Sequence, residues 1–131
     1  FMFFENRVQF VKFQFNTNAI AQQIATSTGV LPLNTWTHFT YTDNGSGAVG
    51  SGKMYRNGVL DTNINQNVGG TYTRMNNGTH PIRIGQAGWD LSHNVKHRGL
   101  VDELAIWKNR ELTATEVLEL YTKGNAGTPI I

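Results

Sequence analysis

Aromatic rings set among asparagine, aspartate and arginine are the side chains here best suited to chemistry, and the chemistry they suit is recognition of a polyhydroxylated ring. The apolar face of a sugar packs on a flat aromatic group while neighbouring Asn, Asp or Arg groups meet its hydroxyls. Tyr72, Arg74, Asn76 and Asn77 from one polar stretch, with Trp89 and Asp90 from another, form the candidate ligand-binding set, although each also fits ordinary rim packing. Trp36 and Trp107 read as core. Asp90, His93 and His97 have a spacing that on a helix would turn two histidines to one face as zinc ligands. They lie in a stretch that reads as loop, so loop polarity explains them better. His38, alternating with Trp36 on an expected strand, reads as a satisfied framework histidine, and His80 likewise.

The elements that must position these residues are short. The chain has 131 residues, enough for one domain with a single core. The expected division is a domain over 1–123 and a tail or linker over 124–131. Asn, Thr and Gly are plentiful and charges few, which disfavours long helices and suits strands joined by tight turns. The net charge of +2 comes from scattered basic residues, with no stripe to neutralise a row of phosphates, so nucleic acid is not expected. No cysteine is present, which excludes disulfides and thiolate metal sites. No apolar run approaches the roughly 20 residues that span a bilayer, so membrane insertion is not expected. The opening Phe1-Met2-Phe3-Phe4 reads as the interior of a longer polypeptide whose apolar groups meet further strands or another subunit.

Along the chain, Arg7 to Phe15 alternates but changes parity between Phe10 and Phe13, which predicts a bulge near Val11-Lys12. Ile20 to Thr28 reads as a strand. WTHFTYT, Trp36 to Thr42, reads as a strand followed by a turn over Asp43 to Gly47. KMYRNGVL carries Asn57-Gly58, the strongest short hairpin signal. Asp61 to Pro81 reads as long loops flanking one weak strand, and loops of this kind often carry function. IRIGQ, Ile82 to Gln86, and LVDELAIW, Leu100 to Trp107, read as central strands. Thr113-Ala114-Thr115-Glu116 fits a capping box opening a short helix that Gly124 would end.

In that order, WTHFTYTDNGSG, KMYRNGVL, IRIGQ and HRGLVDELAIWKNRELTATEVLELY resemble the laminin G-like, concanavalin A-like lectin/glucanase domains, over about Val30 to Tyr121. The resemblance implies an all-β, two-sheet antiparallel jelly-roll sandwich with one short C-terminal helix, and strands of this kind do need a second layer to cover their apolar faces. Such domains usually begin with additional strands, so the opening strands are expected to be lacking here.

Glucanases of this fold use paired carboxylates in an E-x-D-x-x-E pattern. Glu5, Glu103, Glu111, Glu116 and Glu119 do not form it, so no catalysis is expected. Asp102 shares strand parity with Leu100, Leu104 and Ile106, where a carboxylate needs compensation. Relatives often hold a structural Ca²⁺ at the corresponding aspartate, and oxygen ligands suit that ion; the alternative is an aspartate accepting backbone N–H bonds. Asp43 and Asn44 stand where many relatives carry an Asp-Gly turn and are candidates for the same Ca²⁺, though turn formation, with Asx side chains bonding their own backbone, is the better explanation of them. The function expected is a non-catalytic carbohydrate-binding or adhesion module of a larger surface protein, extracellular or on a virion surface. Its partners would be a glycan or cell-surface ligand and other chains of an assembly. The alternative is a structural virion or surface-assembly domain, such as a decoration, fibre or tail protein.

Overall fold

The computed structural model describes residues 2–4, 7–15, 20–27, 30–61, 64–68, 72–73 and 99–128. Within them lie β1 (Met2–Phe4), β2 (Arg7–Phe15), β3 (Ile20–Thr26), β4 (Phe39–Asp43), β5 (Gly52–Arg56), β6 (Val59–Asp61), β7 (Ile64–Val68) and α1 (Ala114–Asn125). All pairings are antiparallel and make two sheets, one in the order β1-β2-β3-β7 and one in the order β4-β5-β6. The chain thus leaves the first sheet after β3, builds the second, and returns in β7 beside β3. The strand expected over Ile20 to Thr28, the weak strand after Asp61 and the capped helix are all present.

The β5–β6 hairpin forms for local reasons. Asn57 and Gly58 adopt φ of 50° and 77°, the positive pair that a two-residue hairpin loop matched to strand twist demands. Asn57 also ties the hairpin to β4: its N–H donates to the His38 carbonyl at 2.9 Å, and its Oδ1 accepts from the His38 N–H at 3.0 Å.

Successive residues of a strand face opposite sides, and on β5 both sides are covered. Met54 is fully buried against Leu31, Phe39 and Tyr41, whereas Tyr55 is buried with Leu112 and Val117, with Trp107 and Leu120 alongside. Complete burial of a side chain such as Met54 contributes about 1.5–3 kcal/mol. Val117 and Leu120 belong to α1, so the helix covers the Tyr55 side. Gly58 backs onto it so closely that a Cβ there would lie 2.8 Å from Leu118 Cδ1.

The N-terminus of α1 is fixed by a reciprocal cap. Thr113 Oγ1 accepts from the Glu116 N–H at 3.3 Å, and Glu116 Oε2 accepts from the Thr113 N–H at 2.8 Å. Those Thr113 bonds, and then the Arg110 guanidinium, hold the Glu116 carboxyl below the usual carboxylate range.

Several expectations need correction. The helix does not end at Gly124 but continues to Asn125 with Ala126 as its cap. Gly127, at φ 66°, takes the left-handed position, while its N–H reaches the Gly124 carbonyl at 3.0 Å and the Thr128 N–H reaches that of Lys123 at 2.9 Å. The bulge at Val11-Lys12 is absent: β2 pairs with β3 without interruption from Gln9↔Thr26 to Phe15↔Ile20. The apolar positions of both parities therefore lie along one continuous strand. LVDELAIW is not a strand. Glu103 adopts φ 50°, and Asp102 Oδ1 accepts the Glu103 N–H at 2.8 Å, so a side chain takes the donor that a ladder would use. Leu100, Val101, Leu104 and Ile106 are exposed, and Asp102 is exposed rather than turned into a core. Trp36 is 65% exposed and lies ahead of β4, which begins at Phe39; Trp107 is half-buried on the helix-side cluster. IRIGQ lies outside the described residues. Among the described residues, no helix is long and apolar enough to cross a membrane.

Candidate functional site

The turn after β4 is built from its own side chains. Asp43 pairs with Gly52 at the end of the β4–β5 ladder, and the chain between them closes through Asx and Ser bonds. Asp43 Oδ1 accepts from the Gly45 N–H at 2.7 Å, Asn44 Oδ1 from the Ser46 N–H at 2.9 Å, and Ser46 Oγ from the Ala48 N–H at 3.3 Å. The second Asp43 oxygen accepts from the Tyr41 hydroxyl at 2.9 Å and the Ser51 hydroxyl at 3.1 Å. Both carboxylate oxygens are thus engaged.

Gly52 makes the Tyr41 contact possible, because any Cβ at that position would collide with the Tyr41 ring and hydroxyl. Burial, reinforced by the charge of Asp43 and the hydrogen bond to it, pushes the Tyr41 phenol far above its ordinary range. Tyr72 is shifted upward for related reasons, first burial and then the Asp43 charge.

Tyr72 and Thr73 dock on this turn from a distant part of the sequence. A Cβ on Gly47 would lie 2.7 Å from the Thr73 carbonyl oxygen, so the two backbones touch where a side chain would separate them. Tyr72 itself is only 5% exposed. Its buried ring lies with Thr73 against the turn. The structure therefore brings Asp43, Asn44 and Tyr72 together at one rim. Arg74, Asn76, Asn77, Trp89 and Asp90 lie outside the described residues, as do His80, His93 and His97.

Oxygens of the calcium candidates already have partners. Those of Asp43 and Asn44 named above serve the turn, and one oxygen of Asp102 caps Glu103. Among the described residues no group of three His, Cys, Asp or Glu is arranged to hold a metal ion. The oxygens of these candidates named above are thus engaged in hydrogen bonds within the protein.

Sequence reasoning missed the role of His38. Its ring stacks obliquely on Tyr121 of α1 with centroids 5.9 Å apart, and its buried Nδ1 has no hydrogen-bond partner among the described residues. It is a framework histidine, but that nitrogen is not satisfied. Desolvation lowers its pKa from the ordinary 6.5, with the charge of Glu103 opposing.

Among the described residues, antiparallel strands in two sheets and a capped C-terminal helix make a β-rich module. The chain belongs to the concanavalin A-like lectin/glucanases superfamily, whose family model matches residues 1–118. The match includes the front of the chain, which the resemblance in sequence had left out. No curated protein and no solved structure matches the chain.

Proposed function

We propose that the chain is a non-catalytic carbohydrate-binding or adhesion module of a larger surface protein, acting outside the cell or on a virion. The family match over residues 1–118 carries this reading, because the superfamily is one of lectins and glucanases and the chain lacks the paired acids of the latter. The two sheets would face each other as a jelly roll, a layered form that buries the apolar sides of both.

The site would be the rim. Tyr72 and Thr73 pack against the Asp43–Ser51 turn, and Arg74, Asn76 and Asn77 are the polar residues that come next in the sequence. Trp89 would supply the flat ring and Asp90 an acceptor beside it. A glycan array on the whole chain tests this: specific binding that is lost on Trp89→Ala supports it, and binding to no glycan contradicts it. Ca²⁺ is a separate proposal resting on the family, with Asp102 the exposed carboxylate that would have to contribute; a melting temperature indifferent to both chelator and Asp102→Asn would end it.

One observation favours a second reading, a structural domain of a virion or surface assembly. Leu100, Val101, Leu104 and Ile106 expose a run of apolar side chains, with the largest exposure 79% at Leu100. Sedimentation of the chain tests it, since a monomer at all concentrations speaks against self-assembly.

A further inference from the structure

Trp107 stands where the chain runs into α1, packed on Tyr55, Leu112 and Val117, so its ring is held by the core. It also lines an open groove of about 270 Å³ with Arg110, Glu116, Glu119, Leu120 and Lys123. The charged groups of that groove are matched one to one. Arg110 contacts Glu116, which Thr113 fixes from its N–H and hydroxyl at 2.8 and 2.9 Å, and Lys123 Nζ lies 2.7 Å from Glu119 Oε1. The groove therefore carries no net charge, yet keeps spare donors on the guanidinium and ammonium and spare lone pairs on Glu119.

The geometry points to this groove as a second sugar subsite, remote in sequence from the rim and holding one uncharged pyranose ring. It rests on the carbohydrate-binding reading. An indole packed on the core suits the apolar face of the ring, and the paired donors and acceptors beside it suit its hydroxyls. Paired charges favour an uncharged ligand, because an acidic sugar would compete with Glu116 and Glu119 for their cations. The volume falls just under the usual pocket range of about 300–1,000 Å³, which suits a single ring and not a chain of them.

Saturation-transfer NMR on the whole chain with methyl glycosides of neutral hexoses, and glucuronate as the charged comparator, tests the assignment. The expected result is a neutral hexoside bound with Kd on the order of 1 mM. Arg110→Ala and Lys123→Ala should each weaken it about tenfold without a large change in melting temperature, since exposed ion pairs contribute little to stability. Trp107→Phe should weaken it with the fold retained, and Trp89→Ala should leave it intact. Binding lost on Trp89→Ala but indifferent to Arg110→Ala and Lys123→Ala overturns this subsite while the rim reading stands. No binding of any neutral hexoside, or a preference for glucuronate, also overturns it, and the glycan array then decides the rim on its own.

Discussion

Tyr41 and Asp43 lie two residues apart on β4, and the phenol of the first donates to a carboxylate oxygen of the second across 2.9 Å. Alternate strand residues share a face, so this bond runs along one side of the β4–β5 ladder and ends at the turn that Tyr72 and Thr73 meet. A core side chain and a loop are thus joined through one carboxylate.

Replacing Asp43 by Asn should therefore loosen the whole rim. Hydrogen bonds to a charged group contribute about 1.5–3 kcal/mol, and a loss of that size should appear in urea denaturation. Because the role is structural, the loss should be the same with calcium and with chelator; a difference between the two conditions would return Asp43 to the metal ligands.

Gly47 and Gly50 provide a matched pair, with φ of 73° and 86°. Alanine at either position meets backbone strain of roughly 1 kcal/mol or more. Only at Gly47 would the new Cβ also strike Thr73, since nothing lies within 4 Å of one on Gly50. Gly47→Ala should be the more destabilising of the two in thermal melts, and the only one to disturb the NMR signals of Tyr72 and Thr73.

His38 gives a pH dependence whose sign follows from its environment. Its folded pKa is lowered, so the unfolded chain takes up the proton first as pH falls. The stabilisation is fully present above the unfolded value of 6.5 and is lost as pH drops below it toward the folded value. The melting temperature should fall as pH drops below 6.5, and His38→Gln should flatten that part of the curve.

Thr113→Ala removes the helix cap and should cost about 1 kcal/mol, seen as a lower urea midpoint with an unchanged slope. The Glu116 half of the cap has a lowered folded pKa, so its contribution holds above the ordinary 4.5 and disappears as pH falls below that through the folded value.

What could be read from the sequence was local. Asn57-Gly58 and the Thr113–Glu116 box specify their conformations within four residues, and both formed as expected. The burial of Tyr72 was not legible, because its neighbours at Asp43 and Gly47 lie more than twenty residues upstream. LVDELAIW alternates like a strand, but the Asp102 side chain competes for the backbone and Glu103 turns left-handed. Two glycines follow Lys123, and composition alone does not tell which takes the positive φ; Gly127 does.

A glycan held where the Asp43–Ser51 turn meets Tyr72 and Thr73, as proposed, must perturb the residues around that junction. Backbone chemical-shift mapping of the labelled chain, titrated with the glycan that the array selects, addresses it most directly. Saturable shifts are expected at residues 43–51 and 72–77 together with the Trp89 indole N–H. Shifts confined to Leu100–Ile106, or absent from the rim at saturation, would contradict it.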